Sequence, residues 1–192
     1  MKNIKNQEDN ILNLRRVEII DDIVYMSPSP SVKHNKIMFR ITAAFETYLR
    51  KKTCSVHQVC NIYYNPDKPK NHVIPDVSVM CEPEKFTPNG YNGVPSLIVE
   101  ILSTNRKDDL STKFRLYEKI GVKEYWIVEP LIDTINQYIL INGQYELLEA
   151  YQYMLPDEIE TLDEIEQERY QSFIKPSIFT DFEIALEDIF ED

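Results

Sequence analysis

Glycine and cysteine are scarce in this sequence, and long apolar runs are missing from it. Only 4 glycines stand among the 192 residues, against 12 tyrosines and 43% hydrophobic residues, a composition typical of an ordinary folded protein. The cysteines Cys54, Cys60 and Cys81 form no CxxC motif, so we expect neither a disulfide framework nor a zinc site. No apolar run approaches membrane-spanning length and no signal sequence opens the chain, so the expected location is the cytoplasm.

Several short motifs that are typical of nucleotide binding or nucleophilic catalysis are missing as well. The chain has no GxGxxG, no P-loop, no GxSxG and no internal repeat. Its length suits one domain, whose core is large enough to be stable without cross-links such as disulfides or bound metals. We therefore expect a loose polar segment over residues 1–13 and a single domain over residues 14–192 whose C-terminal part is acidic.

The negative charge is unevenly distributed along the chain. The formal net charge is -11, from 32 acidic and 21 basic residues. Between Glu146 and Asp192 there are 15 acidic and 2 basic residues, which leaves 17 acidic and 19 basic residues before them. Since the acidity belongs to the C-terminal part, the slightly basic remainder does not exclude a phosphate-bearing ligand.

The first half of the chain predicts a hairpin, a helix and two strands. Residues 16–20 and 23–26 alternate around Asp21-Asp22 as a hairpin, and a helix follows from Val32 to Lys52 with a periodic apolar face. Residues 54–64 and 73–81 are strand-like. His34 opens the helix, and we interpret it as a surface or capping histidine because no nearby cysteine or histidine completes a metal set.

Two acidic residues interrupt apolar strands. Asp76 follows Pro75 inside the strand predicted over residues 73–81, and Glu100 lies in the middle of the run Leu97–Leu102, which is apolar on both faces as in a strand covered on both sides. Burying a carboxylate costs several kcal/mol or more unless a cation or hydrogen bonds compensate it. We therefore expect a cation opposite Glu100.

The helix predicted after this strand offers that cation. It begins near Asp108 or Asp109 and ends at Gly121, and Lys113 lies at the margin of its apolar stripe. An aspartate, a glutamate and a lysine brought together in this way can hold Mg²⁺ and assist a water in attack at phosphorus. Two plainer readings stay open: Lys113 is solvated or pairs with Asp109, or the trio is a structural ion-pair cluster.

The motifs around these residues resemble a known family. The chain is similar to the Uma family of putative restriction endonucleases, within the PD-(D/E)XK nuclease superfamily, in Ile74-Pro75-Asp76, Val99-Glu100-Ile101-Leu102-Ser103, Lys113-Phe114, Tyr117-Glu118, Gly121-Val122 and Glu124-Tyr125-Trp126-Ile127-Val128-Glu129-Pro130. The hairpin with Glu18, the helix opened by His34 and the segment ending in Phe190 also fit. The resemblance implies an α/β fold: a restriction-endonuclease-like mixed β-sheet flanked by helices, with an N-terminal β-hairpin.

The resemblance also implies a catalytic site. Asp76, Glu100 and the backbone carbonyl of Ile101 would bind Mg²⁺, with Mn²⁺ as an alternative, and Glu18 could assist a second metal. The superfamily places its lysine two residues after the glutamate, where this chain has Leu102. In the Uma-like branch the lysine comes from the following helix, so Lys113 takes its role.

These residues together predict a magnesium-dependent endonuclease that hydrolyses DNA. DNA is the expected partner, no membrane partner is expected, and a homodimer is compatible with the sequence. A protein of nuclease fold that binds nucleic acid or a protein partner without cutting is the first alternative. A glycosidase with a carboxylate pair and no metal is the second.

Overall fold

A computed structural model describes residues 16–27, 29–103 and 107–191, with the side chains of residues 107–110 left out. A six-stranded mixed sheet forms its centre. Its strands are β3 (Ser55–Gln58), β4 (Val77–Met80), β7 (Leu97–Ile101), β8 (Glu124–Glu129), β9 (Thr134–Ile141) and β10 (Gln144–Gln152). They lie in the order β10-β9-β8-β7-β4-β3, and neighbouring strands are antiparallel except for the parallel pair β7–β8.

The remaining elements surround this sheet. The short strands are β1 (Arg16–Ile20), β2 (Ile23–Ser27), β5 (Phe86–Thr87), β6 (Gly90–Tyr91), β11 (Phe173–Ile174) and β12 (Ile184–Ala185). The helices are α1 (Val32–Leu49), α2 (Lys107–Ile120), α3 (Pro156–Ile159), α4 (Glu164–Arg169) and α5 (Leu186–Phe190), with a 3-10 turn at Pro83–Lys85. The mixed sheet, the flanking helices and the antiparallel β1–β2 hairpin confirm the predicted fold class.

Each face of the sheet buries its own core. Helix α1 and the C-terminal segment cover one face, where the ring centroids of Phe45 and Trp126 lie 5.8 Å apart. Helix α2 and the hairpin side cover the other face, where those of Tyr117 and Tyr125 lie 5.2 Å apart. Strand β7 is buried along its whole length because it lies between both layers.

A buried glutamate fastens the C-terminal segment to the sheet. Glu124 is fully buried, and its Oε1 accepts hydrogen bonds from Trp126 Nε1 and Gln137 Nε2, each at 2.6 Å. Its Oε2 accepts from Ser177 Oγ at 2.6 Å and from the Ile178 amide at 3.2 Å. These donors compensate the carboxylate without a cation, so the role of Glu124 in the fold is to hold the chain near residue 177 against β8.

Several predicted boundaries differ from the structure for local reasons. Helix α1 ends at Leu49 rather than Lys52. The strand predicted over residues 54–64 is regular only at Ser55–Gln58, since Val59 adopts a φ of 51° that breaks the extended backbone. The strand predicted over residues 73–81 pairs regularly only from Val77, after Pro75, which has no amide hydrogen to donate to a ladder.

The expectation that the cysteines do not form disulfides was wrong. Cys54 and Cys81 form a disulfide, and Cys60 is free and half-buried. Ser55 and Met80 are partners in the β3–β4 ladder, so the two cysteines lie one position beyond that pair and face each other across the strands. Sequence spacing could not reveal the pairing because the two cysteines are 27 residues apart and become neighbours only through the antiparallel ladder.

The acidic C-terminal part is better ordered than its weak pattern indicates. A carboxylate accepts a backbone hydrogen bond at the N-terminus of each short helix: Glu158, in the first turn of α3, accepts from the Leu155 amide at 2.7 Å, and Asp163, the N-cap of α4, accepts from the Glu166 amide at 2.8 Å. The loose segment predicted for residues 1–13 lies outside the described residues. Over the described part of the chain, no helix has the length and apolar character needed to cross a membrane.

Candidate active site

Asp76 lies directly before β4 and is 1% exposed. Its Oδ1 accepts a hydrogen bond from Arg16 Nη1 at 2.7 Å. Its Oδ2 accepts from the Ile101 amide at 2.9 Å and from His34 Nε2 at 3.1 Å. Asp76 is thus held by the first hairpin strand, by the start of α1 and by the end of β7.

Glu100 occupies the fourth position of β7, and its side chain lies on the face covered by α2. Its Oε1 accepts hydrogen bonds from Lys113 Nζ at 3.0 Å and from the Tyr117 hydroxyl at 2.7 Å. Lys113 and Tyr117 are four residues apart on α2, so they stand on the same side of that helix. The cation expected opposite Glu100 is therefore Lys113, and the alternative of a solvated lysine is wrong because Lys113 is 2% exposed.

Glu18 joins the same site from β1. It is 1% exposed, and its Oε1 lies 2.9 Å from Lys113 Nζ and accepts a hydrogen bond from the Ile74 amide at 2.7 Å. Lys113 thus bridges two carboxylates. The pairing of Lys113 with Asp109 considered from the sequence involves a side chain outside the described residues.

Ile101 is placed beside Asp76 by its backbone. Its amide hydrogen points to Asp76 Oδ2, whereas the next amide, that of Leu102, points away to the Val128 carbonyl on β8. Because the N–H and C=O groups of one residue in an extended strand point to the same side, the Ile101 carbonyl lies on the edge of β7 that Asp76 occupies.

The interpretation of His34 as a surface or capping histidine was wrong. Its backbone amide does bond to the Ser31 side chain that caps α1, but the imidazole is buried and reaches Asp76. Arg16 and Tyr117 were also missed as members of the site. The one local signal for Tyr117 was its position one turn after Lys113. The contacts of Arg16 and His34 with Asp76 span 60 and 42 residues, so no local pattern reveals them.

We call these residues the buried cluster: Arg16, Glu18, His34, Asp76, Glu100, Lys113 and Tyr117. Burial raises the pKa of the Glu100 carboxyl to about 7, against an attraction to Lys113 that lowers it, and the charges of Asp76 and Glu18 raise it further. Burial also acts to raise the pKa of Asp76, but hydrogen bonds from His34, Ile101 and Arg16 outweigh it and hold that pKa at about 2. The pKa of Glu100 is therefore raised above its ordinary value, whereas the pKa of Asp76 is lowered below it.

The donor chemistry of the buried cluster fits a divalent cation. Three carboxylates, Glu18, Asp76 and Glu100, lie in the buried cluster beside the basic side chains of Arg16, His34 and Lys113. Carboxylate and carbonyl oxygens are the ligands that Mg²⁺ and Mn²⁺ prefer. Among the residues that the structure describes, no three His, Cys, Asp or Glu side chains are already gathered as a metal site. Binding would therefore require Asp76 and Glu100 to turn from their present partners.

The sequence matches the model of one protein family. The Uma2 family, described as "Putative restriction endonuclease", matches residues 8–168, which is most of the chain. The resemblance stated from the motifs is thereby confirmed.

The chain is also similar to individual proteins and to a solved structure. Uncharacterized protein slr1290 of Synechocystis sp. is 30% identical over 123 residues, which cover 63% of this chain and 64% of the relative, less than two thirds of its length. Uncharacterized protein sll1609 of the same organism is 26% identical over 135 residues, which cover 68% of this chain and 76% of the relative. The crystal structure of a putative nuclease belonging to DUF820 from Anabaena variabilis superposes with a TM-score of 0.68 at 18% identity, covering 91% of this chain and 89% of that one. The last similarity shows that the two proteins share a fold.

Proposed function

The chain belongs to the Uma2 family, and from this premise we propose that it is a metal-dependent endonuclease that hydrolyses phosphodiester bonds of DNA. The proposal treats residues 14–192 as a single nuclease-like domain. Membership in this family and the fold shared with a putative nuclease support hydrolysis of nucleic acid in general. Within that class of substrates we propose DNA.

The observation that carries the proposal is the placement of two acidic side chains on neighbouring strands, with a lysine from a helix beside one of them. Asp76 precedes β4, Glu100 lies near the end of β7, and Lys113 reaches Glu100 from α2. All three are buried, with exposures of 1%, 3% and 2% for Asp76, Glu100 and Lys113, and burial raises the pKa of Glu100 to about 7. Such groups concentrate at functional sites because a purely structural cluster gains little from them.

Each residue has a distinct role in the proposed reaction. Asp76, Glu100 and the Ile101 carbonyl would hold Mg²⁺ or Mn²⁺, which supplies positive charge against the scissile phosphate. Lys113 would orient the attacking water and stabilise the negative charge that develops as the water oxygen bonds to phosphorus and a P–O ester bond breaks. Glu18 positions Lys113 by accepting from its ammonium group.

A second candidate function has one observation in its favour. Asp76 accepts hydrogen bonds from Arg16 and His34, and Glu100 accepts them from Lys113 and Tyr117, so both acids have partners within the protein. Such compensated acids suit a nuclease-fold module that binds nucleic acid or a protein without cutting it. Turnover separates this candidate from the first.

The test is cleavage of supercoiled plasmid and of single-stranded DNA with Mg²⁺, with Mn²⁺ and with EDTA. The wild type should cut only with a metal, and Asp76→Asn should not cut. Asp67→Asn is the matched control, since Asp67 is exposed and lies outside the buried cluster. DNA binding without cleavage under all three conditions would favour the second candidate, and cleavage by Asp76→Asn at the wild-type rate would remove Asp76 from the site.

A further inference from the structure

We propose that a cleft outside the buried cluster binds an unpaired nucleobase of the DNA strand. This inference rests on the proposed function, because it names the part of the nucleic acid that a second site of the same protein would recognise. It arises from a group of uncharged residues that takes no part in the buried cluster.

The cleft lies between residues 63–69 and the β5–β6 hairpin. Its volume is about 620 Å³, which is typical of a site for a small organic group. All nine residues that line it are uncharged, and they include Tyr63, Tyr64, Asn65, Pro69, Asn89 and Asn92. Because its walls contain neither a cation nor a carboxylate, the cleft suits a neutral group better than a phosphate or a metal ion.

The lining residues combine aromatic rings with open amides. Tyr63 and Tyr64 are half-buried. Asn89 and Asn92 are exposed, and their side-chain amides have no hydrogen-bond partner in the part of the chain that the structure describes. A nucleobase has a flat face that stacks on aromatic rings and an edge of donors and acceptors, and a carboxamide offers one group of each kind. The cleft therefore provides both kinds of contact that a base makes.

Backbone hydrogen bonds hold the walls of the cleft in place. The Tyr63 amide donates to the Tyr91 carbonyl at 2.8 Å, and the Tyr91 amide donates to the Asn61 carbonyl at 2.8 Å. In the other loop, the Asn65 carbonyl accepts from the Lys68 amide at 3.1 Å. A cleft whose walls are fixed in this way loses less conformational entropy when it binds a ligand.

Residues 72–76 connect the cleft to the buried cluster. The ring centroids of His72 and Tyr63 lie 5.4 Å apart, and Asp76 is the other end of this stretch. Four residues of extended chain span at most about 14 Å, so the cleft and Asp76 are on the order of 20 Å apart. One strand of DNA advances about 3.4 Å per nucleotide, so the bound base would lie about six nucleotides from the scissile phosphate.

A lysine beside the cleft suits the phosphate that accompanies a base. Lys70 is exposed and directly follows Pro69 in the loop. A contact of Lys70 with phosphate would add affinity without regard to the base, because phosphates are alike in every nucleotide. Lys70→Gln should therefore weaken the binding of any DNA strand, whether or not it carries bases.

The cleft should favour single-stranded DNA. A base inside a duplex is stacked and paired, and it must leave the stack before it can enter a cleft in a protein. A single strand does not require this unpairing. We therefore expect the protein to bind a single strand more tightly than a duplex of the same sequence.

The test is the affinity of the full-length protein, in EDTA, for labelled DNA strands of equal length. One strand carries bases, and the other has the same sugars and phosphates but no bases. EDTA prevents metal-dependent cleavage, so binding is measured alone. The wild type should bind the strand with bases about 5-fold or more tightly than the abasic strand, which is the effect of stacking one base on an aromatic side chain.

Two variants of the cleft should lose this preference and bind the abasic strand as the wild type does. They are Tyr63→Leu and the double replacement of Asn89 and Asn92 by alanine. Because Asn89 and Asn92 are exposed, the double variant tests the cleft even if Tyr63→Leu fails to fold. Tyr153→Leu and Gln144→Ala are the matched controls, a half-buried tyrosine and an exposed amide outside the cleft, and should keep the preference.

The possible outcomes separate this inference from the proposed function. Equal wild-type affinity for the two strands overturns the role of the cleft, as does a preference that both cleft variants retain, and DNA cleavage with Mg²⁺ would be untouched by either result. Displacement of the strand by maltose but not by deoxyadenosine would assign the cleft to a carbohydrate and overturn the inference. A preference that depends on the cleft, without cleavage in Mg²⁺ or Mn²⁺, supports the cleft and contradicts the endonuclease activity. No binding of either strand overturns the cleft and DNA as the partner.

Discussion

Lys113 Nζ lies 3.0 Å from Glu100 Oε1, although the two residues are 13 positions apart and belong to different elements. Leu102, two positions after Glu100 in the chain, is half-buried and uncharged, so the positive charge beside Glu100 comes from another element. The lysine thus reaches the glutamate from the packed face of α2. Glu18 holds the same ammonium group at 2.9 Å from the hairpin, so three elements meet at one nitrogen atom.

Replacing Lys113 should separate catalysis from metal binding. We expect Lys113→Ala to lose about 10²-fold or more in cleavage rate, as is typical for removal of a group that assists proton transfer. It should still bind the metal, because Asp76, Glu100 and Ile101 are unchanged. The measurement is the single-turnover cleavage rate beside a metal titration. Lys119→Ala, on an exposed position of the same helix, should cut at the wild-type rate.

A lysine supplied from the strand provides the complementary test. Leu102→Lys added to Lys113→Ala should recover part of the lost rate. Full recovery is not expected, since an active-site group displaced by ~1 Å can cost 10²-fold. If Lys113→Ala alone cuts as fast as the wild type, the assignment of Lys113 is wrong.

The two acids should respond oppositely when neutralised without metal. Asp76→Asn should lower the free energy of unfolding by about 2 kcal/mol, because a carboxylate whose pKa is held at about 2 contributes roughly 1.4 kcal/mol per unit of that shift. Glu100→Gln should leave it level or raise it, because burial raises the pKa of this carboxyl, and the amide removes both the cost of burying a charge and the repulsion from Asp76 and Glu18. Urea unfolding in EDTA at pH 7 measures both. Equal losses in the two variants would indicate that both acids are structural partners.

The pH dependence of stability should report on Glu100. The folded carboxyl has a pKa of about 7 against an ordinary value of 4.5, so the folded state binds more protons than the unfolded state between these values. Its contribution to the free energy of unfolding should therefore fall as pH rises from 4.5 to 7. Urea unfolding in EDTA across this range should show a decline in the wild type that is weaker in Glu100→Gln. Identical pH profiles would contradict the raised pKa.

The acidic C-terminal part should limit affinity for DNA without affecting the chemistry. Asp157, Glu160 and Glu164 are exposed and, unlike Glu158 and Asp163, do not cap a helix, so their replacement by amides spares the local fold. The triple variant should bind non-specific DNA more tightly at low salt, and the difference should shrink as salt rises. Titration of labelled duplex DNA at several salt concentrations measures this.

A control with the same change in charge distinguishes location from total charge. Replacing Asp67, Glu82 and Glu84 by amides also removes three exposed negative charges, outside the C-terminal part. An equal gain in affinity for DNA in both triple variants would mean that only the net charge of the protein affects binding. No tightening in either would place both regions away from the nucleic acid.

Local chemistry was sufficient to predict the elements that carry the site. The hairpin around Asp21-Asp22, the start of α1 at Val32 and the strand with Glu100 follow from residue periodicity and turn residues, which act over a few positions. Gly121 and the Asn142-Gly143 turn have the positive φ angles that their residue types permit. The cost of burying Glu100 was likewise sufficient to predict a cation beside it.

Tertiary packing alone decided which distant residues share the site and the core. Arg16 and His34 meet Asp76 across 60 and 42 residues, and Cys54 meets Cys81 across 27, so no periodic pattern relates the partners. The same holds for Glu124, whose Oε2 accepts from Ser177 at a separation of 53 residues. Charge and burial require that such partners exist, but several residues of each type could satisfy the requirement. Only the register of the strands and the packing of the helices select one of them, because those determine which side chains lie within hydrogen-bond distance.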